Sequence, residues 1–158
     1  MAMMDAKHPM FLDTNVLVYA SIKEAPEHQV VRSFVDKHLL LGTPLFLSRQ
    51  VLREYLAVLS RPQSNCNPIP QATLLAWLNA WRDKCQVLDD NAQVMETLWG
   101  LFASTPFAGK QVHDANIVAT MFSYGLDTLA TANTSDFVRF TPDLKLIDPR
   151  TEAEIGVI

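Results

Sequence analysis

The stretch MFLDTNVLVYA, residues 10–20, sets an aspartate, a threonine and an asparagine between two apolar runs. The first run reads as a short buried strand over 9–13, and the second opens a helix over 15–21. Asp13 therefore stands where a strand hands over to a helix. An aspartate there caps the helix, because its carboxylate accepts from unpaired N–H groups of the first turn. In a parallel sheet the same place is also where ligand sites gather. Whether Asp13 is more than a cap depends on what else reaches that edge.

Working outward, strand and helix alternate. PEHQVVRSFVDKHLL (26–40) reads as a helix with Pro26 in its first turn. PLFLS (44–48) is a strand, and Ser48 caps the helix SRQVLREYLAVLS (48–60). RPQSNCNPIP (61–70) is a long loop rich in Pro and Asn. QATLLAWLNAWRDKC (71–85) is a helix and QVLDD (86–90) a strand. NAQVMETLWGLFAS (91–104) is a helix, TPFAG (105–109) a break, and KQVHDANIVATMFSYG (110–125) a helix ended by Gly125. DTLATAN (127–133) and LKLID (144–148) are the last strands. Such alternation implies an α/β fold with a parallel sheet covered on both faces.

The chain has 158 residues, 49% hydrophobic and 19% charged, which fits one domain over 1–158 with a substantial core. No apolar run approaches the roughly 18 residues of a membrane span. The start, MAMMDAKHP, has no apolar segment of leader length, so a cytoplasmic protein without membrane contact is expected. Cys66 and Cys85 are too few and too isolated for a disulfide framework or a zinc site. The formal charge of −4 argues against a general nucleic-acid binder. It leaves open an enzyme that grips phosphates through metal ions, because a metal site needs acids.

Four acids fall into one pattern. Asp13 ends the first strand. Asp136, in TANTSDF, follows the fourth at the same edge of the sheet, where it also suits a turn. Glu54 projects from the helix stripe made by Leu47, Val51, Tyr55 and Val58, while Arg49, Gln50 and Arg53 take the other side. Asp114 opens the stripe of Ile117, Val118 and Met121, in a first turn where the helix dipole favours negative charge. A salt bridge or a stripe edge would explain either helical acid alone. Together, in a parallel sheet, all four can converge. Such a cluster repels itself. A hard divalent cation such as Mg²⁺ or Mn²⁺ relieves it, prefers oxygen ligands, and bridges to substrate phosphates. Two such ions about 3.5–4 Å apart would suit phosphodiester hydrolysis.

The segments FLDTNVLVYA, QVLREYLAVL, VHDANIVATM and LATANTSDF resemble the signature segments of the PIN domain, most of all the VapC-type toxin ribonucleases. The resemblance runs from about Pro9 to about Ile147. It implies a three-layer α/β/α sandwich with a central parallel sheet. It also implies a Mg²⁺- or Mn²⁺-dependent endoribonuclease, the toxin of a type II toxin–antitoxin pair, with RNA as substrate. The family's acidic set matches Asp13, Glu54, Asp114 and Asp136 as catalytic and metal-binding residues. Thr14, Asn15, Thr131 and Asn133 match its supporting polar positions. A VapB-like antitoxin and a homodimer are the partners implied. The long loop 61–70 departs from the pattern.

Other residues carry plainer readings. His113 points away from the Asp114 stripe. Trp77 and Trp81 lie four apart on one helix and suit the core or, secondarily, a dimer surface. Lys23, Arg49, Arg53 and Lys110 suit surface charge or RNA phosphates. Two alternatives stay open. One is a catalytically silent PIN module that binds RNA or a partner. The other is a receiver-type phosphoacceptor domain using Asp89 and Thr131. That reading lacks a second acid beside Asp13 and a lysine after the last strand.

Overall fold

The computed structural model describes residues 7–155. Residues 1–6, which the sequence reading holds free of an apolar leader, lie outside the described residues, as do 156–158. Five short strands form one sheet: β1 (Met10–Leu12), β2 (Leu45–Ser48), β3 (Gln86–Leu88), β4 (Thr128–Ala130) and β5 (Lys145–Ile147). All neighbours are parallel, in the order β3-β2-β1-β4-β5. The helices are α1 (Thr14–Ser21), α2 (His28–Leu40), α3 (Arg49–Leu59), α4 (Gln71–Lys84), α5 (Ala92–Ser104), α6 (Gln111–Ser123) and α7 (Pro149–Ile155). A 3₁₀ helix spans Thr134–Phe140. Parallel neighbours need crossover connections, and these helices supply them. They pack as α1 with α2 and α3, and as α5 with α6, flanking the sheet in a three-layer α/β/α sandwich.

The order of strands decides where a site can form. The chain moves outward from β1 through β2 to β3, then returns to place β4 on the other side of β1. Successive connections diverge between β1 and β4, leaving a crevice beyond their carboxyl ends. Asp13 and Thr131 are the residues that follow those two strands. A receiver-type domain carries the order 2-1-3-4-5, so the order here rules that alternative out. Asp89 follows the edge strand β3 and pairs instead with Arg49 at 2.6 Å.

Apolar strands centre the core. Phe11, Leu12, Leu47 and Leu129 are fully buried, as strands covered on both faces must be. Tyr55 is also fully buried, with its hydroxyl 2.8 Å from Ser21 Oγ. Cys66 and Cys85 are free thiols, and burial pushes Cys85 up to about 12, which makes it inert.

Several boundaries differ from the sequence reading. Pro26 lies in a turn, and α2 begins at His28. The reason is local: the N–H of His28 bonds the carbonyl of Ala25 at 3.0 Å, closing a turn before the helix. The fourth strand stops at Ala130 because Thr131 turns its hydroxyl onto Asp13 and onto the N–H of Asn133. Helix α6 stops at Ser123, where Gly125 takes a φ of +73° and Leu126 N–H reaches back to Met121 O at 2.9 Å. No helix among the described residues is long and apolar enough to cross a membrane.

Candidate active site

Asp13 is held from three sides. Its Oδ1 accepts from the N–H of Thr14 at 2.7 Å, which makes it the cap of α1. Its Oδ2 accepts from the Thr131 hydroxyl at 2.8 Å and more weakly from the Asn15 amide at 3.3 Å. Asn15 also takes the N–H of Ala132 at 3.0 Å, so one side chain ties α1 to the turn after β4. These bonds close the crevice between β1 and β4 and fix the carboxylate in place. Asp13 is buried, and burial raises its pKa to about 6. The bonds from Thr131 and Thr14 pull it back, while the charges of Glu54 and Asp114 push it further up.

Glu54 arrives from α3. Its Oε2 accepts from the Thr14 hydroxyl at 2.7 Å and its Oε1 from the Gln50 amide at 2.8 Å. The buried face of α3 is centred on Val51, Tyr55 and Leu59, with Val58 only partly buried, so Glu54 stands on its flank. Gln50 is not on the solvent side. It is buried, gives its amide also to the His113 carbonyl at 2.9 Å, and accepts from Asn116 at 2.8 Å. This network straps α3 to α6. Gln50 and Asn116 were missed because a polar residue on a helix reads as exposed. The signal that could have found Gln50 was its i,i+4 spacing to Glu54.

Asp114 stands in the first turn of α6, half-buried, and its side chain has no hydrogen bond among the described residues. Burial is the main cause that raises its pKa to about 6, followed by the charges of Asp136 and Glu54; Arg139 and His113 oppose them. Asp136 lies on the 3₁₀ helix rather than on a loop, and is exposed. His113 is exposed and gives the network only its backbone carbonyl.

Asp13, Thr14, Asn15, Asp114, Asn133 and Asp136 line one cavity of about 260 Å³, with Val18, Tyr19 and Val58 as its apolar wall. Glu54 does not line it and meets it through the Thr14 hydroxyl. None of the four acids enters an ion pair among the described residues. A salt-bridge explanation of the helical acids therefore fails. Negative groups are concentrated on one crevice, and among the described residues no cation pairs with them directly, at a cost to the fold.

Residues 10–141 match the family described as the PIN domain. The chain belongs to the PIN domain family. Among named PIN relatives it resembles Ribonuclease VapC24 of Mycobacterium tuberculosis strain H37Rv, at 29% identity over 131 residues. The match covers 82% of this chain and 89% of that one. Its PIN fold is also similar to a DNA-bound VapBC from Salmonella typhimurium. The TM-score is 0.65 at 22% identity, covering 90% of this chain and 98% of that one. A third likeness is to Mycobacterium tuberculosis VapC20, described as a sarcin-ricin loop cleaving toxin. There the TM-score is 0.58 at 19% identity, with 82% and 95% covered.

Proposed function

We propose that this PIN domain is a metal-dependent endoribonuclease that hydrolyses RNA phosphodiester bonds, and that it is the toxin of a type II toxin–antitoxin pair. The observation that carries the reading is the unpaired acidic cavity at the switch point of the sheet. The likeness to a protein named as a ribonuclease supports the substrate. The likeness to VapBC complexes supports a VapB-like antitoxin as partner.

The donor set fits a hard cation. It is all oxygen, and Asp114 has no hydrogen bond among the described residues to compete with a ligand. Among the described residues no three His, Cys, Asp or Glu side chains already close around one point. Mg²⁺ keeps several waters and takes only one or two carboxylates directly. Asp13 and Asp114 would hold the ion, with Asp136 and Asn133 at the mouth of the cavity. When bound, the ion supplies positive charge for a phosphate and lowers the pKa of a water. The chain does the positioning. Thr131 and Asn15 fix Asp13, and Gln50 and Thr14 fix Glu54, so the carboxylates keep their places as substrate arrives.

The test is cleavage of a mixed pool of cellular RNA in Mg²⁺ or Mn²⁺, and its arrest by EDTA. Undiminished cleavage in chelator, or none under any metal, defeats the reading.

A homodimer belongs to the same proposal, on a different surface from the Trp77/Trp81 helix. Trp81 is buried and Trp77 packs on the core. Helix α5 instead exposes Met95, Trp99 and Phe102, the last two at 62% and 60%. These are spaced four and three apart and form one stripe. Glu96 is its only charged residue. Two copies of a chain carrying −4 meet most favourably on a face with almost no charge, because an isologous contact brings the same patch of both copies together and a charged patch would repel itself. Light scattering should give twice 17.7 kDa for the native chain, and Trp99→Asp should give a monomer. A native monomer at tens of micromolar would refute the dimer.

A further inference from the structure

A second cavity, of about 300 Å³, opens where the end of α1, the start of α2 and the last turns of α4 meet. Lys23, Arg32, Lys84 and His28 line it, with Trp77 and Trp81 as its wall. No Asp or Glu lines it. In a chain of net charge −4 this is a local reversal of sign. The cations are available. Lys23 and Lys84 are exposed and make no hydrogen bond or ion pair among the described residues. Arg32 spends only its Nε on Asp36, at 3.2 Å, which leaves its two terminal nitrogens. Nδ1 of His28 donates to the carbonyl of Tyr19 at 2.8 Å, which leaves Nε2 as an acceptor in the neutral ring, so the cations are Lys23, Arg32 and Lys84. The Lys84 ammonium sits 5.7 Å from the centre of the Trp81 ring, while Trp77 keeps part of its surface in solvent.

We infer that this cavity is a subsite for single-stranded RNA, in which the cations take a phosphate and Trp77 stacks a base. Cations tracking a backbone beside an aromatic face are the combination that single strands require. A pocket that took an apolar peptide would not need three strong cations, and one that took free phosphate would not need an aromatic wall. The position is also right. Tyr19 lines the acidic cavity and its carbonyl receives His28, so the two cavities share α1. The length of that helix from Asp13 to Ser21 is about 12 Å, within the reach of a short oligonucleotide. The subsite would hold the strand at a distance from the cleaved bond, which offsets the repulsion between RNA and the acids.

The inference rests on the ribonuclease reading, and the experiment separates the two. The full-length chain carrying Asp13→Asn is titrated with a labelled 12-nucleotide oligouridylate at several salt concentrations, with Trp fluorescence recorded. The same titration is made with Lys23→Glu and Lys84→Glu added, and with Lys145→Glu as a charge control on β5. Each variant's melting temperature checks that it is folded. The paired reversal should weaken binding by tenfold or more. It should reduce the salt slope by about 0.7, for one lost phosphate contact on a single strand. It should also abolish the quenching, and Lys145→Glu should do none of these. Cleavage by the native chain is assayed in parallel. If the paired reversal matches its parent in affinity, slope and quenching while the native chain cleaves RNA, the subsite is wrong and the ribonuclease stands. If the native chain never cleaves but the reversal still abolishes binding, the subsite stands and the ribonuclease is wrong. A parent that binds no oligomer overturns the subsite.

Discussion

Asp13→Asn is expected to lower RNA cleavage by about 10²–10³-fold or more, the scale of losing one preorganised electrostatic group. Three donors hold Asp13, and it lines the cavity as a buried carboxylate. An amide keeps its shape but loses its charge and one acceptor. Glu54→Gln and Asp114→Asn should fall in the same range. Asp136→Asn should be milder, because Asp136 is exposed and water can take its place. Thr131→Val and Gln50→Leu touch no substrate but release Asp13 and Glu54. A loss of about 10–100-fold is expected for each, as for other partners of ligating groups. The measurement is the initial rate on one RNA substrate at saturating Mn²⁺, with melting curves to confirm folding. Near-native cleavage by Asp13→Asn would remove the acidic cavity from the chemistry.

The acids were legible in the sequence because their neighbours are apolar. A carboxylate set among Ile117, Val118 and Met121, or after Phe11 and Leu12, stands out against periodicity. Strand and helix alternation was legible for the same reason. What escaped has local causes. The 3₁₀ helix of Thr134–Phe140 is too short to show a period of 3.6, and its only mark is Phe137 and Phe140, three apart and both buried. Helix α7 begins at Pro149, where Asp148 accepts from the N–H of Arg150 at 2.9 Å, and its 7 residues span too few turns to show a period. The face of α5 could not be assigned, since an apolar helix reads alike whether it packs inward or waits for a partner. Gln50 was placed on the side of α3 away from the apolar stripe, with Arg49 and Arg53, whereas its hydrogen-bond partner Asn116 is 66 residues away in sequence.

Stability without metal gives the second large effect. Asp13 and Asp114 both have folded-state pKa values of about 6 against an ordinary 3.8, with burial as the first cause and neighbouring carboxylates adding to it. The sign follows from which form the fold disfavours. Between about pH 4 and 6 the folded chain holds more protons than the unfolded one, so stability rises as pH falls. Above about 6 the penalty is fully present; below about 4 it is gone. The chain in EDTA should therefore melt higher at pH 5 than at pH 7. Asp114→Asn removes one share of the penalty. In EDTA at pH 7 it should stabilise the fold by about 1–2 kcal/mol, discounted from ~1.4 kcal/mol per pH unit because Asp114 is only half-buried. That corresponds to a rise in Tm of about 2–8 °C for a chain of this size. Asp114→Asn should also gain less between pH 7 and 5 than the native chain. Mn²⁺ at a hundredfold excess over its Kd should add about 2.7 kcal/mol to the native chain and less to Asp114→Asn. These curves separate a ligand site from a structural acid. A structural Asp114 would make the substitution destabilising in EDTA and leave Mn²⁺ without effect on either protein, and that pair of results would defeat the metal site.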